Sequence, residues 1–269
     1  MIRLRNALFA VASIVALGGL AAACDAQSTQ NPASHDQGST HETAADKAFG
    51  AKVRAYLLNH PEVLEEAFAK LQAQQEADKQ AQAHGAIASH RQALEHDPRD
   101  GVLGNPNGTI TVVEFFDYRC PFCKAAEPAV EKLLADNKDV RLVLKEFPII
   151  DWEDQSHMSR DAARAALATM PQGKYAAVHR ALLEQKAKLD DATVDQVLTA
   201  NGVDVAKARA LAAGKPIDDQ ITDAYKLAHD LGIDGTPAFI VGDTLIAGAQ
   251  MDALESAIAS ARASAAKRR

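Results

Sequence analysis

The stretch that most restricts this chain is residues 109–136, where an almost unbroken apolar run, Ile110–Phe116, leads through a short turn into Cys120-Pro121-Phe122-Cys123. A run of that length, rich in β-branched and aromatic side chains, reads as a strand covered on both faces. A helix is expected immediately after it. Pro121 suits the first helical position, where its missing N–H costs nothing, so Cys120 falls at the N-cap and Cys123 in the first turn. Unpaired backbone N–H groups and the helix dipole stabilise a thiolate at Cys120, and C-x-x-C thiols at such sites have pKa values of ~3.5–7.5 instead of ~8.5. Cys123, about one helical turn away, is then the resolving partner.

Two residues depart from the pattern. Glu114 lies inside the apolar strand, where burial raises a carboxyl pKa and makes it a candidate for exchanging a proton with Cys123; the plainer reading is a strand-end glutamate that reaches water. Pro128 lies inside the helix that Cys120 opens, so a kink is expected there.

With a Glu six residues before the first Cys, a Pro eight residues after it and Thr236-Pro237 far downstream, the sequence resembles the thioredoxin superfamily, specifically the bacterial disulfide-bond (Dsb) oxidoreductases, over roughly residues 100 to 262. The resemblance implies an α/β, thioredoxin-like fold with an inserted helical domain, preceded by an N-terminal helical stalk. It also implies chemistry without an organic cofactor, through a redox-active Cys120–Cys123 disulfide. A cis Thr236-Pro237 bond facing the thiols would present backbone to an extended substrate as an added strand. Thr236, Pro237, Pro121 and Phe122 are the substrate-binding candidates. Thr rather than Val before Pro237 resembles the isomerase branch, and Pro121-Phe122 lacks the His of the strongly oxidising branch.

The formal charge of -7 over 269 residues, with scattered Lys and Arg, argues against a nucleic-acid partner. Three cysteines are too few for a disulfide framework: one stands near the N-terminus and two form the pair, as expected of thiols placed for chemistry. Residues 1–23 have a short basic start (Arg3, Arg5), an apolar core and Ala21-Ala22-Ala23 before Cys24, the pattern of a secretion signal. Cys24 after small residues resembles a bacterial lipoprotein cleavage site, with Leu20 one place earlier than that pattern prefers; ordinary cleavage after Ala23 is the alternative. Either way the mature chain is exported to the periplasm, with Cys24 as a membrane anchor if lipidated. Residues 24–43 are polar and read as a disordered tether.

Residues 44–95 read as helical. Val53, Tyr56 and Leu57 stripe one helix, Asn59-His60-Pro61 ends it, and Leu64, Phe68 and Leu71 stripe the next. Two short helices make no core alone, so they must pack on the catalytic domain or on copies of themselves. Residues 72–84 read as an exposed helical spacer, interrupted or weakened at Gly85. The arrangement resembles the N-terminal region of suppressor-of-copper-sensitivity C proteins, which implies a homotrimer or another homo-oligomer built through residues 44–95.

Residues 96–266 form the catalytic domain in this reading. Val102 and Leu103 suit a short edge strand, and residues 140–147 a further buried one. Lys145 is a candidate partner for Glu114 and a tuner of its pKa; alternatively Lys145 and Glu146 both point outward at the strand's end. Helical patterns at 159–170, 175–185, 192–200, 205–213 and 217–231 make residues 155–231 an insertion over the active-site face. A hairpin at 238–247 and a helix from Met251 close the domain.

The expected activity is thiol–disulfide exchange on cysteine-containing exported proteins, as isomerase or reductase, with electrons passed to or from a membrane redox partner. The alternatives are a dithiol oxidase and a Cu(I)-binding copper-tolerance protein. A structural zinc site would need another Cys/His pair, and no metal site is assigned. A purely structural disulfide closing so short a loop would remove little unfolded-state entropy.

Overall fold

The computed structural model describes residues 43–267. The expected signal (1–23), nearly all of the tether (24–43), with Cys24, and Arg268-Arg269 lie outside the described residues. By contacts the chain divides after His60 into two units. The first contains α1 (Ala44–Asn59), opened by a capping box in which Thr43 and Asp46 satisfy each other's exposed N–H groups. None of its residues is buried.

The second unit opens with α2 (Glu62–Glu95), a single helix of 34 residues. It runs through Gly85 without interruption, which leaves only the weakening expected there: open space surrounds that glycine, so its ~1 kcal/mol propensity cost alone opposes the helix. The two halves of α2 differ. Leu64, Phe68 and Leu71 are exposed, whereas Ala83, Ile87 and Leu94 are buried in a cluster with Val113, Phe115 and Val143. Tertiary burial of that second half decides the issue over local propensity.

The sheet has five strands in the order β1 (Gly101–Gly104), β3 (Val140–Glu146), β2 (Ile110–Phe116), β4 (Ala238–Val241) and β5 (Thr244–Ala247). Only β2 and β3 run parallel, joined by the crossover helix α3 (Pro121–Asp136). Both faces are covered, as the unbroken apolar sequence of β2 requires. One carries Val113, Phe115 and Val143 against α2 and α9 (Lys215–Asp230). The other carries Ile110, Val112, Phe116, Leu142 and Leu144 against Val130 and Leu133 of α3 and Leu254 and Ile258 of α10 (Met251–Lys267). Between β3 and β4 lie α4 (Asp151–Asp154), α5 (Met158–Leu167), α6 (Tyr175–Glu184), α7 (Asp191–Ala200), α8 (Val205–Ala212) and α9, the last five within three residues of the expected helices; α4 was not anticipated.

Register corrects the role expected of Lys145. Glu114 pairs with Leu144, so Lys145 beside Phe115 faces the opposite side of the sheet from Glu114. Its ammonium instead forms a buried ion pair with Asp100 and donates to the Ala93 carbonyl of α2 at 2.6 Å. Gln220 of α9 donates to Asp100 at 3.3 Å and to the Arg99 carbonyl at 2.7 Å. Lys145 therefore ties α2, the entry to β1, β3 and α9 together rather than tuning the thiols. Glu146 does not point outward either. It is buried on the Glu114 face and accepts from Tyr118 Oη at 3.0 Å and Tyr175 Oη at 2.9 Å. Tyr175 leaves no room for a side chain at Gly101, whose Cβ would sit 1.9 Å from the ring.

Candidate active site

The thiols sit where β2 hands over to α3. Asp117 sets the turn: its Oδ1 accepts from the Arg119 N–H at 2.7 Å and from Ser159 Oγ at 2.8 Å, and its Oδ2 accepts from the Ile150 N–H at 2.9 Å. Arg119 donates to Asp151 at 3.0 Å and Ser156 at 2.6 Å, and pairs with Asp154. Asp151 also accepts from the N–H groups of Ser159 and Arg160, both at 2.9 Å. The loop ahead of the first cysteine is thus fixed to the α4–α5 corner at every residue that carries a charge.

Cys120 occupies the N-cap of α3, with Pro121 as the first helical residue, and its carbonyl accepts from the Lys124 N–H at 3.1 Å. The Cys120 side chain is only 3% exposed, while Phe122 beside it is 68% exposed. The Cys120 thiol is held down at about 6, chiefly by a hydrogen bond from the Cys123 thiol, with further help from the Thr236 side chain and the N–H groups of Cys123 and Phe122; burial works against them. The 3.2 Å contact from Cys120 Sγ to the Thr236 carbonyl is a donation open only to the protonated form. Cys123 is pushed far above its ordinary value by burial, by its bond to the Cys120 sulfur and by the charges of Cys120 and Glu114. One sulfur is built to ionise and its neighbour to keep its proton.

Thr236-Pro237 is a cis peptide, and the Thr236 carbonyl faces the Cys120 sulfur. The Pro237 carbonyl accepts from the Gly248 N–H at 2.8 Å, which leaves Thr236 the better placed of the two to meet an incoming chain. Glu114 is fully buried on the face of β2 turned to α3, its Oε2 without a hydrogen-bond partner, and burial, the charge of Glu127 and the charge of Cys120 raise it to about 8. The structure therefore brings Cys120, Cys123, Pro121, Phe122, Thr236, Pro237 and Glu114 into one neighbourhood and leaves Lys145 out of it. Among the described residues no group of three or more His, Cys, Asp or Glu side chains is arranged to hold a metal; the two thiols are the soft donors available.

The sequence pattern of the DSBA-like thioredoxin domain matches residues 111–259, more than half of the chain. The chain belongs to that family. Residues 47–78, ahead of this DSBA-like domain, match the N-terminal domain of the copper resistance protein ScsC. Among solved structures, the chain is similar to a thioredoxin-like oxidoreductase from Silicibacter pomeroyi at 39% identity, covering 64% of this chain and 97% of that one with a TM-score of 0.60. It is similar also to Proteus mirabilis ScsC in a transitional conformation, at 31% identity, covering 82% of this chain and 98% of that one with a TM-score of 0.60. Curated relatives include a Na(+)/H(+) antiporter, NhaA 3 of Salinispora tropica, 34% identical over 63% of this chain. Another is the thiol:disulfide interchange protein DsbA of Bordetella pertussis, 33% identical over 50% of this chain. The chain spans 26% of the length of the former and 64% of the latter.

Sequence reading missed two parts of this DSBA-like site. The Asp117–Arg119–Asp151–Ser159 network joins residues far apart in the chain, and no local periodicity announces it. Glu127 is the other. It is a buried carboxyl on the sheet-facing side of α3, and its signal was present, since it falls four residues after Cys123 among Ala126, Val130 and Leu133.

Proposed function

We propose that this protein is an exported thiol:disulfide oxidoreductase that reacts through Cys120 and resolves through Cys123. The observation that carries this reading is the asymmetry of the two sulfurs: Cys120 at about 6 on a helix N-terminus, Cys123 buried beside it and held protonated. The Cys120 thiolate attacks a substrate disulfide, forming the Cys120–substrate bond and releasing one substrate thiolate. Cys123 then attacks Cys120 Sγ, giving the Cys120–Cys123 disulfide and releasing the second thiolate, with its own proton passed to Glu114. Two electrons move from the protein to the substrate, and the reverse sequence oxidises a dithiol. Thr236 and Pro237 line the approach, with Pro121 and Phe122 supplying the exposed apolar contact.

A pKa near 6 falls between the ~7 of thioredoxin and the ~3.5 of a strong disulfide donor. Thr236 before Pro237, and Pro121-Phe122 with no His between the cysteines, support isomerase or reductase work on exported cysteine-containing proteins, with a membrane redox partner resetting the pair, over the oxidase alternative. The rate of Cys120 alkylation by iodoacetamide should rise with pH about a midpoint near 6. At pH 7 about nine-tenths of Cys120 is then thiolate, against a few per cent for an ordinary thiol. A midpoint above 8 would overturn the reading.

Export through residues 1–23, periplasmic location and a lipid anchor at Cys24 belong to the same proposal, supported by the leader's composition. So does self-association through α1 and the first half of α2, supported by the exposed Phe49, Tyr56, Leu58, Leu64 and Phe68. The double variant Leu64→Glu/Phe68→Glu should lower the mass found by light scattering and leave Cys120 alkylation unchanged; the same mass in both proteins counts against assembly through this face. The match to the N-terminal domain of a copper resistance protein favours one second reading, Cu(I) capture by the reduced Cys120–Cys123 pair. Stoichiometric Cu(I) binding without reductase or isomerase activity distinguishes it.

A further inference from the structure

The chain has a single tryptophan, Trp152, and it lies on α4 beside the loop that delivers Cys120. Trp152 is 65% exposed; among the described residues beyond α2, Phe122 between the cysteines is the only other aromatic side chain left so open. Hydrogen bonds fix its place relative to the thiol. β3 ends beside β2, where the Phe147 N–H donates to the Phe116 carbonyl at 3.0 Å, and the Ile150 N–H reaches Asp117 at 2.9 Å. Arg119, the residue before Cys120, donates to Asp151, the residue before Trp152, at 3.0 Å and also pairs with Asp154. Cys120 and Trp152 are thus each next in the chain to one partner of the same bond. The strand that follows Thr236-Pro237, β4, flanks β2 on the side away from β3, so the thiol stands between the cis peptide and α4 along the end of the sheet.

The indole is braced. It stacks on Tyr225 of α9 with 4.9 Å between ring centroids and 21° between planes, and meets Phe147 edge-on at 6.3 Å. Tyr225 is fixed in turn by Phe147 at 5.3 Å and by its Oη, which donates to the Pro148 carbonyl at 2.6 Å. Stacking covers one face of the indole, and the exposure belongs to the rest. The charge around it is negative, since Trp152 lies in the run Asp151-Trp152-Glu153-Asp154. The nearby cations are already engaged, Arg119 by Asp151 and Asp154, and Arg160 by Asp218 at 3.3 Å. Glu153 is exposed and makes no ion pair among the described residues. An open indole face carries the negative side of the ring quadrupole, so a cation placed over it is attracted by the ring and by the neighbouring carboxylates alike. An apolar ligand gains nothing from that charge, and an anionic one is repelled by it.

We propose that Trp152 is a client-docking residue of the exchange reaction, its open face taking a lysine or arginine side chain that lies a few residues from the client cysteine attacked by Cys120. This rests on the exchange reaction proposed above and names a class of substrate for it: exported proteins with a cationic residue close to a reactive disulfide. Neighbouring strand ends lie ~4.8 Å apart and an extended client advances ~3.3 Å per residue, so a short segment crosses from β4 over β2 to the end of β3. Its cysteine meets Cys120, one flank passes Thr236, and the other runs over α4. Trp152 touches neither sulfur of the pair; it aligns the client and leaves the ionisation of Cys120 as it is.

The test uses peptides with one cysteine, activated as its mixed disulfide with thionitrobenzoate, and Arg, Leu or Glu placed two or three residues from it on either side. The Cys120 thiolate attacks the peptide sulfur and releases coloured thionitrobenzoate, which gives the rate. In the parent protein the Arg peptide should react fastest. Trp152→Ala should lower the Arg-to-Leu rate ratio about two- to fivefold, the range of an exposed cation–π contact, and Trp152→Phe should restore part of it. Iodoacetamide alkylation of Cys120 should keep its pH profile in both variants. Because the indole is the chain's only one, its fluorescence reports on this residue alone, and acrylamide should quench it readily in the full chain. Four results overturn the proposal. An Arg-to-Leu ratio unchanged by Trp152→Ala assigns the preference to net charge; a parent that prefers Leu, and loses that preference with Trp152→Ala, marks an apolar platform. A shifted alkylation profile marks a structural effect, and an indole protected from acrylamide is already covered by the chain itself or a second copy. Failure of the exchange reaction looks different: no peptide then releases thionitrobenzoate, and the proposal falls with it.

Discussion

Cys120→Ala is expected to abolish thiol–disulfide exchange, with no measurable reduction of insulin or reshuffling of scrambled ribonuclease, while Cys123→Ala traps substrates on Cys120. The asymmetry follows from position. Cys120 at the helix N-terminus is the thiolate at neutral pH, whereas the Cys123 thiol, buried and next to a negative sulfur, becomes nucleophilic only after Cys120 has entered a mixed disulfide and lost its charge. Removing Cys120 removes the first step. Removing Cys123 leaves the first step and deletes the second, so mixed disulfides accumulate and are visible on non-reducing gels. Retention of exchange by Cys120→Ala, or the reverse trapping pattern, would refute the assigned roles.

Lys145→Ala is expected to destabilise the fold by about 3–5 kcal/mol, read from urea unfolding, because it leaves Asp100 buried without its cation. The bond to the Ala93 carbonyl of α2 is lost with it. Burial already pushes Asp100 up to about 6 against the pull of Lys145. Lys145→Met combined with Asp100→Leu should recover most of the loss, since both desolvation costs vanish together. A cost below about 1 kcal/mol for Lys145→Ala would mean that the pair is not structural.

Much of this was legible in local sequence. The apolar run at 110–116, Pro121 at the start of a helix and the hairpin after Pro237 each fix backbone conformation through neighbours a few residues apart, and the structure places elements there. Side-chain partners across strands were not legible in the same way. Lys145 beside Phe115 rather than Glu114 is a matter of register, and a shift of one residue moves a side chain to the other face of the sheet. Gly85 failed as a helix breaker because Ala83 and Ile87, buried on either side of it, hold that turn in the core against its propensity cost. The Asp117 and Asp151 carboxylates were invisible for another reason: their partners lie across a corner that only the folded chain creates.

Those two carboxylates set a condition on how the sulfur works. With residues 117–119 bonded to Ser159, Ile150 and Asp151, the segment that delivers Cys120 has little conformational freedom left to lose when a substrate arrives. The ordering was completed when the chain folded, so encounter with a disulfide demands alignment from the incoming molecule alone.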